Sequence, residues 1–260
     1  MSVANVSAHG VSAHDEHHDH EHKDSFITKY IFTQDHKMIG KQFLITGMFW
    51  ALIGGFLSIL FRIQLGFPEM NLEFLKPLLG GWITETGQLD PNFYLALVTM
   101  HGTIMVFFVL TAGLSGTFSN FLIPLQIGAR DMASGFMNML SYWFFFTSGV
   151  IMFISLFLER GPASGGWVVY PPLSALEQAM PGSGLGMTLW LISMTFFIAS
   201  SLLGGINYIT TVINLRTKGM SFSRLPLTIW AFFLTAVIGL LSFPVLFSAA
   251  LLLVFDRSFG

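Results

Sequence analysis

The chain has 260 residues, 53% of them hydrophobic and 10% charged, with a formal net charge of −2 and a mean hydropathy of +0.68. A soluble domain carries about one quarter charged residues, so this composition points to a membrane protein and offers no basic surface for nucleic acid. Cysteine is absent, which excludes disulfides, thiolate metal sites and iron–sulfur ligation and leaves histidine, methionine and carboxylates to hold any metal.

Residues 1–41 have no apolar core and show no cleavable signal peptide. They contain the run HDEHHDHEHK, His14 to Lys23, which can chelate a stray divalent metal. Nothing fixes its geometry, so residues 1–41 read as a His-rich polar tail with an amphipathic lead-in. From residue 42 a membrane domain begins. Spanning a bilayer takes about 20 mostly apolar residues in a helix, and five segments qualify: 43–65, 93–125, 137–158, 185–215 and 225–255. The fold class is therefore an all-α integral membrane protein with five transmembrane helices. Glycine- and proline-rich loops such as LERGPASGGWVVYPPLS, Leu158 to Ser174, separate the spans.

Loop charge orients the bundle. The tail and the two loops on its side carry Lys23, Lys29, Lys37, Lys41, Arg130, Arg216, Lys218 and Arg224, against Arg62, Lys76, Arg160 and Arg257 on the other. Eight cations against four place the N-terminus inside.

The first span closes on LSILFRIQLG, with Arg62 near its outer end. The second contains YLALVTMHGTIMVFFVL, Tyr94 to Leu110, where His101 is the one intramembrane histidine of eight in the chain. A buried ionisable group in a membrane is rare and usually functional, although helix packing also employs histidine. Gly102 lets a flat ligand approach the helix beside the imidazole, or serves close packing. His101 lies about 12 Å along the second helix from Phe93, a depth Arg62 reaches from above. Together they suit a ligand with a metal and an anionic or carbonyl edge; the alternative for Arg62 is snorkelling to the interface.

The inner ends of three helices share a polar inventory. The second leads from Asn120 to Asp131 in the following loop, the third begins with Asn138 and Ser141, and the fourth ends with Ser200, Ser201, Asn207 and Asn214. Ser141, Ser148 and Ser155, and likewise Ser193, Ser200 and Asn207, recur every seven residues, making a narrow stripe on each helix. Such stripes glue helices together or line a file of water. Asp131 at the inner mouth either collects protons, neutralises Arg130 or caps the third helix.

The segments DHKMIGKQF, MHGTIMVFF, NFLIPLQIGARDMA, LSYWFF, GWVVYPPLS, GINYITTVINLRTKGM and FDRSFG, in that order over residues 35–260, resemble subunit I of the haem–copper terminal oxidases. The resemblance implies the first part of a twelve-helix bundle in a bacterial inner membrane. His101 would be an axial ligand of a low-spin haem, a-type by expectation, and Arg62 would hydrogen-bond its polar edge. Trp167 and Tyr170 would lie near the haem propionates. Asp131 would open a proton path lined by Asn120, Asn138, Ser141, Ser201 and Asn207. A high-spin haem and copper would come from further polypeptide, of which this chain is expected to be a part. The partners implied are a copper-bearing subunit II, a subunit III, membrane lipid and cytochrome c as donor.

Two positions depart from the family pattern: Phe43 replaces a pathway tyrosine, and Gln64 replaces a glutamate that helps hold a structural cation in some members. Ile53, Leu57, Phe93 and Ala96 stand where quinol oxidases of the family contact quinone, and none can make polar contacts, which favours cytochrome c over quinol. The related nitric oxide reductases share the haem histidine but not the aspartate pathway. A non-catalytic scaffold or transporter, with His101 used for packing, is the remaining alternative.

Overall fold

The computed structural model describes residues 26–158, 161–179 and 183–259; the His14–Lys23 run and Arg160 lie outside them. Residues up to Phe32 form a unit of their own. Its described part is the π turn Ile27–Ile31, with the Phe26 and Tyr30 rings 5.0 Å apart.

The second unit, Thr33–Gly260, is an all-α membrane bundle of five helices long and apolar enough to span: α1 (His36–Gly66), α2 (Pro91–Ile127), α3 (Gly135–Ser155), α4 (Leu185–Asn214) and α5 (Leu227–Phe259). Their ends follow capping chemistry rather than hydropathy. The Asp35 carboxylate accepts from Met38 N at 3.1 Å, so α1 starts well before the apolar run at Phe43; its first two turns are mixed in polarity. Asp90 accepts from Asn92 N and Phe93 N at 2.7 and 3.3 Å, and Pro91 fills the first turn, where a missing N–H costs nothing. Ser134 caps α3 by accepting from Met137 N at 3.2 Å. Gly128 stops α2 in the left-handed conformation, φ 74°, which glycine adopts without a Cβ penalty.

Within α2 the hydrogen bonding widens to the π pattern over Ile104–Leu114, starting three residues after His101. The Thr111 hydroxyl keeps the same spacing, donating to Val106 O five residues back at 2.7 Å. Such segments are rare and concentrate at functional sites.

The α1–α2 contact rests on three glycines at heptad spacing. Added Cβ atoms would meet Phe121 at 2.9 Å from Gly40, the Gly113 Cα at 2.8 Å from Gly47, and Met105 Sδ at 2.9 Å from Gly54. Lipid tails are as apolar as leucine, so membrane helices associate through packing and hydrogen bonds rather than hydrophobic burial, and small residues supply the close approach. At Gly47 the opposing surface is backbone, which no rotamer change can move aside.

On the other side, α3 and α4 are joined by their serine stripes. Ser148 Oγ donates to Ser193 O at 2.7 Å, Ser193 Oγ to Ser148 O at 2.8 Å, and Ser200 Oγ to Ser141 O at 2.6 Å. Helix α5 packs on α4 and leaves most of its apolar surface outward. Its last turn is tied back by Arg257, whose guanidinium donates to Ser174 O and Gly184 O, both at 2.8 Å, to Ser183 O, and to Thr188 Oγ1 at 3.1 Å. In the 67–90 connection Gln64 donates to Pro68 O at 3.1 Å and accepts from Leu89 N at 2.9 Å. A neutral amide thus uses its donor and its acceptor to tie this loop down.

Gly47→Ala is expected to destabilise the protein by about 1–3 kcal/mol, the cost of forcing atoms into a close-packed contact. Gly55→Ala, where an added Cβ meets nothing within 4 Å, should be neutral or stabilising by up to about 1 kcal/mol. Thermal unfolding in detergent compares them, and equal midpoints would show that the seam tolerates a wider spacing.

Candidate functional site

Two polar constellations lie at opposite ends of α2. At the first, His101 Nδ1 is 2.8 Å from Gly54 O. A carbonyl only accepts, so Nδ1 carries a proton, and Nε2 is the nitrogen left to offer a lone pair to a metal. The turn around it is tied to three other elements. Thr99 Oγ1 accepts from Gly166 N at 2.8 Å, Trp190 Nε1 on α4 donates to Thr103 Oγ1 at 3.1 Å, and the His101–Gly54 bond reaches α1. An imidazole fixed through one nitrogen and free of protein hydrogen bonds at the other can supply one axial position to a haem iron. The donor set therefore fits that group.

The Phe61 ring stands edge-on to His101 at 5.7 Å, and the Arg62 guanidinium carbon is 5.9 Å from the Phe61 centroid. Phe61 thus neighbours both the histidine and the arginine. Arg62 is exposed, and among the described residues no carboxylate pairs with it. The Gly166–Thr99 bond seats the following loop on α2, placing Trp167 3.6 Å from where a Gly102 Cβ would lie, with its ring 6.0 Å from Phe107. The space beside Gly102 is therefore bordered by an indole rather than open. Tyr170 is 70% exposed.

At the other end Asp131 Oδ1 lies 3.0 Å from His36 Nδ1 and accepts from Met132 N at 2.6 Å. Asp35 Oδ1 is 3.7 Å from the same imidazole nitrogen. The carboxylate of Asp131 is 45% exposed while the His36 side chain is 7% exposed, so the acid faces out and the imidazole stands behind it. Asp131 pairs with His36 rather than Arg130, and Ser134 rather than Asp131 caps α3. Behind them Asn207 Oδ1 accepts from Ser134 N at 2.9 Å, and Thr211 Oγ1 from Ala133 N at 2.9 Å. Asn138 Nδ2 donates to Asn120 Oδ1 at 2.5 Å, and Asn120 Nδ2 to Gly116 O at 2.7 Å. Of these side chains, Asn138 Oδ1 and Asn207 Nδ2 are buried with no hydrogen-bond partner among the described residues. A buried polar orphan costs about 1–3 kcal/mol unless water satisfies it, so these two mark positions suited to ordered water.

Farther from Asp131, a cleft of about 250 Å³ opens between α2, α4 and α5. Ser141, Ser200 and Ser201 line it, with Phe43, Thr111, Ser115, Tyr208, Thr235 and Ser242. The serine stripes therefore divide. Ser148 and Ser193 lock α3 to α4, Ser155 bonds within its own helix to Met152 O at 2.7 Å, and only the half nearer Asp131 borders space for water. Phe43 stacks on Phe145 at 5.4 Å and meets Tyr142 edge-on at 5.3 Å.

His36 was not legible as a site residue in the sequence, where it reads as the last histidine of a polar tail. Its one cue is its position directly after a helix-capping aspartate. Ile53, Leu57, Phe93 and Ala96 all border one apolar groove between α1, α2 and α3, with no charged residue in its wall.

A family model for cytochrome c and quinol oxidase polypeptide I matches residues 38–260. The chain is 41% identical over 92% of its length to the alternative cytochrome c oxidase subunit 1 of Bradyrhizobium diazoefficiens, covering 38% of that protein. It is 38% identical over 94% of its length to cytochrome c oxidase subunit 1 of Cereibacter sphaeroides, covering 45%, and 37% identical over 90% to a putative cytochrome c oxidase subunit 1-beta of Streptomyces avermitilis, covering 38%. The chain thus spans about two-fifths of the length of these relatives. With a matching model over nearly all of its membrane domain and this helical architecture beneath it, the chain belongs to the cytochrome c and quinol oxidase polypeptide I family.

Proposed function

We propose that the chain is part of the catalytic subunit of a proton-pumping terminal respiratory oxidase, passing electrons from cytochrome c toward O2 reduction. The observation that carries this reading is the His101 imidazole, fixed through Nδ1 to a backbone carbonyl and presenting Nε2 from a helix turn bonded on three sides. Bound low-spin haem, a-type by family expectation, supplies one-electron redox chemistry there. His101 holds it, the Gly54 carbonyl orients the ring and raises its basicity, and Trp167 covers the helix beside it. Arg62 places positive charge at that end of the bundle, which stabilises a reduced haem relative to an oxidised one. Tyr170 belongs to the same outer loop and is assigned to the propionate side. The high-spin haem and copper are assigned to further polypeptide of the subunit.

Asp131 gathers protons from the aqueous side, and His36 behind it accepts and releases them one group farther in. The Asn120–Asn138 pair and Asn207 hold water through their orphaned amide atoms, and Ser141 and Ser201 continue the line into the cleft. Neither amides nor hydroxyls store charge at neutral pH, so the carboxylate and imidazole set the rate of entry. The orientation that serves this path puts the N-terminus in the cytoplasm of a bacterial cell, with the helices in its inner membrane. A copper-bearing subunit II and a subunit III complete the assembly. Cytochrome c is favoured as donor because Ile53, Leu57, Phe93 and Ala96 offer a quinone no polar side chain and the groove they border has no charged residue in its wall. A quinol-oxidising member is the second reading.

Optical and redox spectra of the assembled oxidase test the first site. His101→Ala should abolish the low-spin haem band, while Arg62→Met should keep it and lower its midpoint potential. A native spectrum in the folded His101→Ala complex would overturn the haem assignment and favour a scaffold.

Turnover tests the second. Asp131→Asn keeps size and hydrogen-bonding capacity but removes the charge, and should retain normal haem bands while losing most turnover and pumping, at least about tenfold. His36→Gln should give a smaller loss, because the carboxylate still meets bulk water. Wild-type turnover and proton-to-electron ratio in Asp131→Asn would remove the pathway role.

A further inference from the structure

The cleft beyond the asparagines is lined by one ring that lacks a hydroxyl and by another that carries one. Phe43 contributes only a ring edge; an added Gly116 Cβ would lie 2.8 Å from it. Tyr208 of α4, partly buried, lines the same cleft. Helical side chains lean toward the helix N-terminus, and the N-terminus of α4 is the end away from Asp131. The Tyr208 oxygen therefore sits about one turn beyond Asn207, roughly 5.4 Å along the helix, and lies 3.5 Å from where a Gly204 Cβ would be.

The Ser119 hydroxyl of α2 is the polar side-chain neighbour of that oxygen, and Ser119 Oγ itself donates to Gly116 O at 3.3 Å. Ser119 is fully buried, and of two neighbouring hydroxyls either can donate to the other. Ser119 is also next in sequence to Asn120, which ties the phenol to the amide pair of the proposed path. A packing tyrosine does not need this arrangement, since Phe232 and Phe233 beside it are satisfied without a hydroxyl.

We propose that Tyr208 is a further proton-path residue, its phenol taking over at this level the relay that Phe43 lacks. The inference rests on the Asp131 entry reading above. In the transfer, a protonated cleft water on the Asp131 side gives its extra proton to the phenol oxygen and is left neutral. As that O–H bond forms, the phenol's original O–H, turned toward the cleft, breaks and passes its proton to the next water beside Ser201, which carries the charge onward. The tyrosine ends neutral with one proton gained and one lost, and its hydroxyl rotates back to Ser119. No charge is stored and no oxidant is needed. Thr235 and Ser242 on α5 face the same cleft and can steady the water on either side of the phenol.

The test is Tyr208→Phe in the complete assembled oxidase, with Asp131→Asn as reference and Phe43→Tyr added as a second-site change. Haem spectra should remain native. Turnover and the proton-uptake phase should slow about five- to tenfold, the scale of losing one hydrogen-bonded group, and Tyr208→Phe combined with Phe43→Tyr should recover most of that loss. Wild-type proton uptake in Tyr208→Phe, where Asp131→Asn is slow, would overturn the Tyr208 role alone. A slow Tyr208→Phe that Phe43→Tyr does not rescue would overturn it too, because the phenol would then be needed at its own place for structure. If Asp131→Asn is itself at wild-type rate, the entry reading fails first.

Discussion

The backbone contact between Gly47 and Gly113 is the constraint on which the rest of the bundle depends. It brings α1 and α2 close enough for the Gly54 carbonyl, two helical turns farther along, to accept from His101. A side chain at the contact would push the two helices apart, and a hydrogen bond of 2.8 Å has no slack to absorb the shift. Fixing the imidazole is therefore a property of helix spacing as much as of the histidine. The same seam continues in the other direction, where Gly40 lets Phe121 and Asn120 approach α1. One interface thus sets the depth of both polar ends.

Polar side chains in a membrane are costly unless paired, so the places where pairing fails are informative. Most hydroxyls in this bundle are spent on carbonyls, some across the α3–α4 interface and others within their own helix. Against that background, the amide atoms of Asn138 and Asn207 belong to a small set of buried polar atoms without a hydrogen bond among the described residues. They are fully buried, they neighbour the loop that carries Asp131, and their partner amide atoms are tightly bonded. A helix-gluing role would have paired both atoms of each amide. One atom paired and one free is what an amide needs to hold a water in a fixed orientation.

Much of the fold was legible because hydropathy over about 20 residues is a strong signal. The five spans follow from it directly, and the helix ends differ where caps such as Asp35 and Asp90 decide them. His101 stood out because a lone imidazole in an apolar run is costly. The partner that holds it was not legible, since a backbone carbonyl leaves no mark in sequence. The glycines at 40, 47 and 54 did carry a heptad signal, but glycine is common here, with 26 in the chain, and only contact separates a seam residue from Gly55. The serine stripes could not be divided into glue and cleft from spacing alone, because both uses share a period. His36 was hidden by composition, as it follows a tail rich in histidine.

The Asp131 loop shows how stability and proposed function share the same atoms. Its backbone at Ala133 and Ser134 is gripped by Thr211 and Asn207 of α4, while its carboxylate is held by the first residue of α1. The entrance is thus assembled from three elements that meet only when the bundle is formed. A loop held merely to close the fold would be adequately fixed by those backbone bonds and by the Ser134 cap. The additional contact, a half-exposed carboxylate backed by a buried imidazole, adds little to the hold, since even a charged pair at such exposure is worth about 1 kcal/mol or less. What it does add is a buried imidazole directly behind an exposed acid, the ordering of groups that the proposed proton entrance requires.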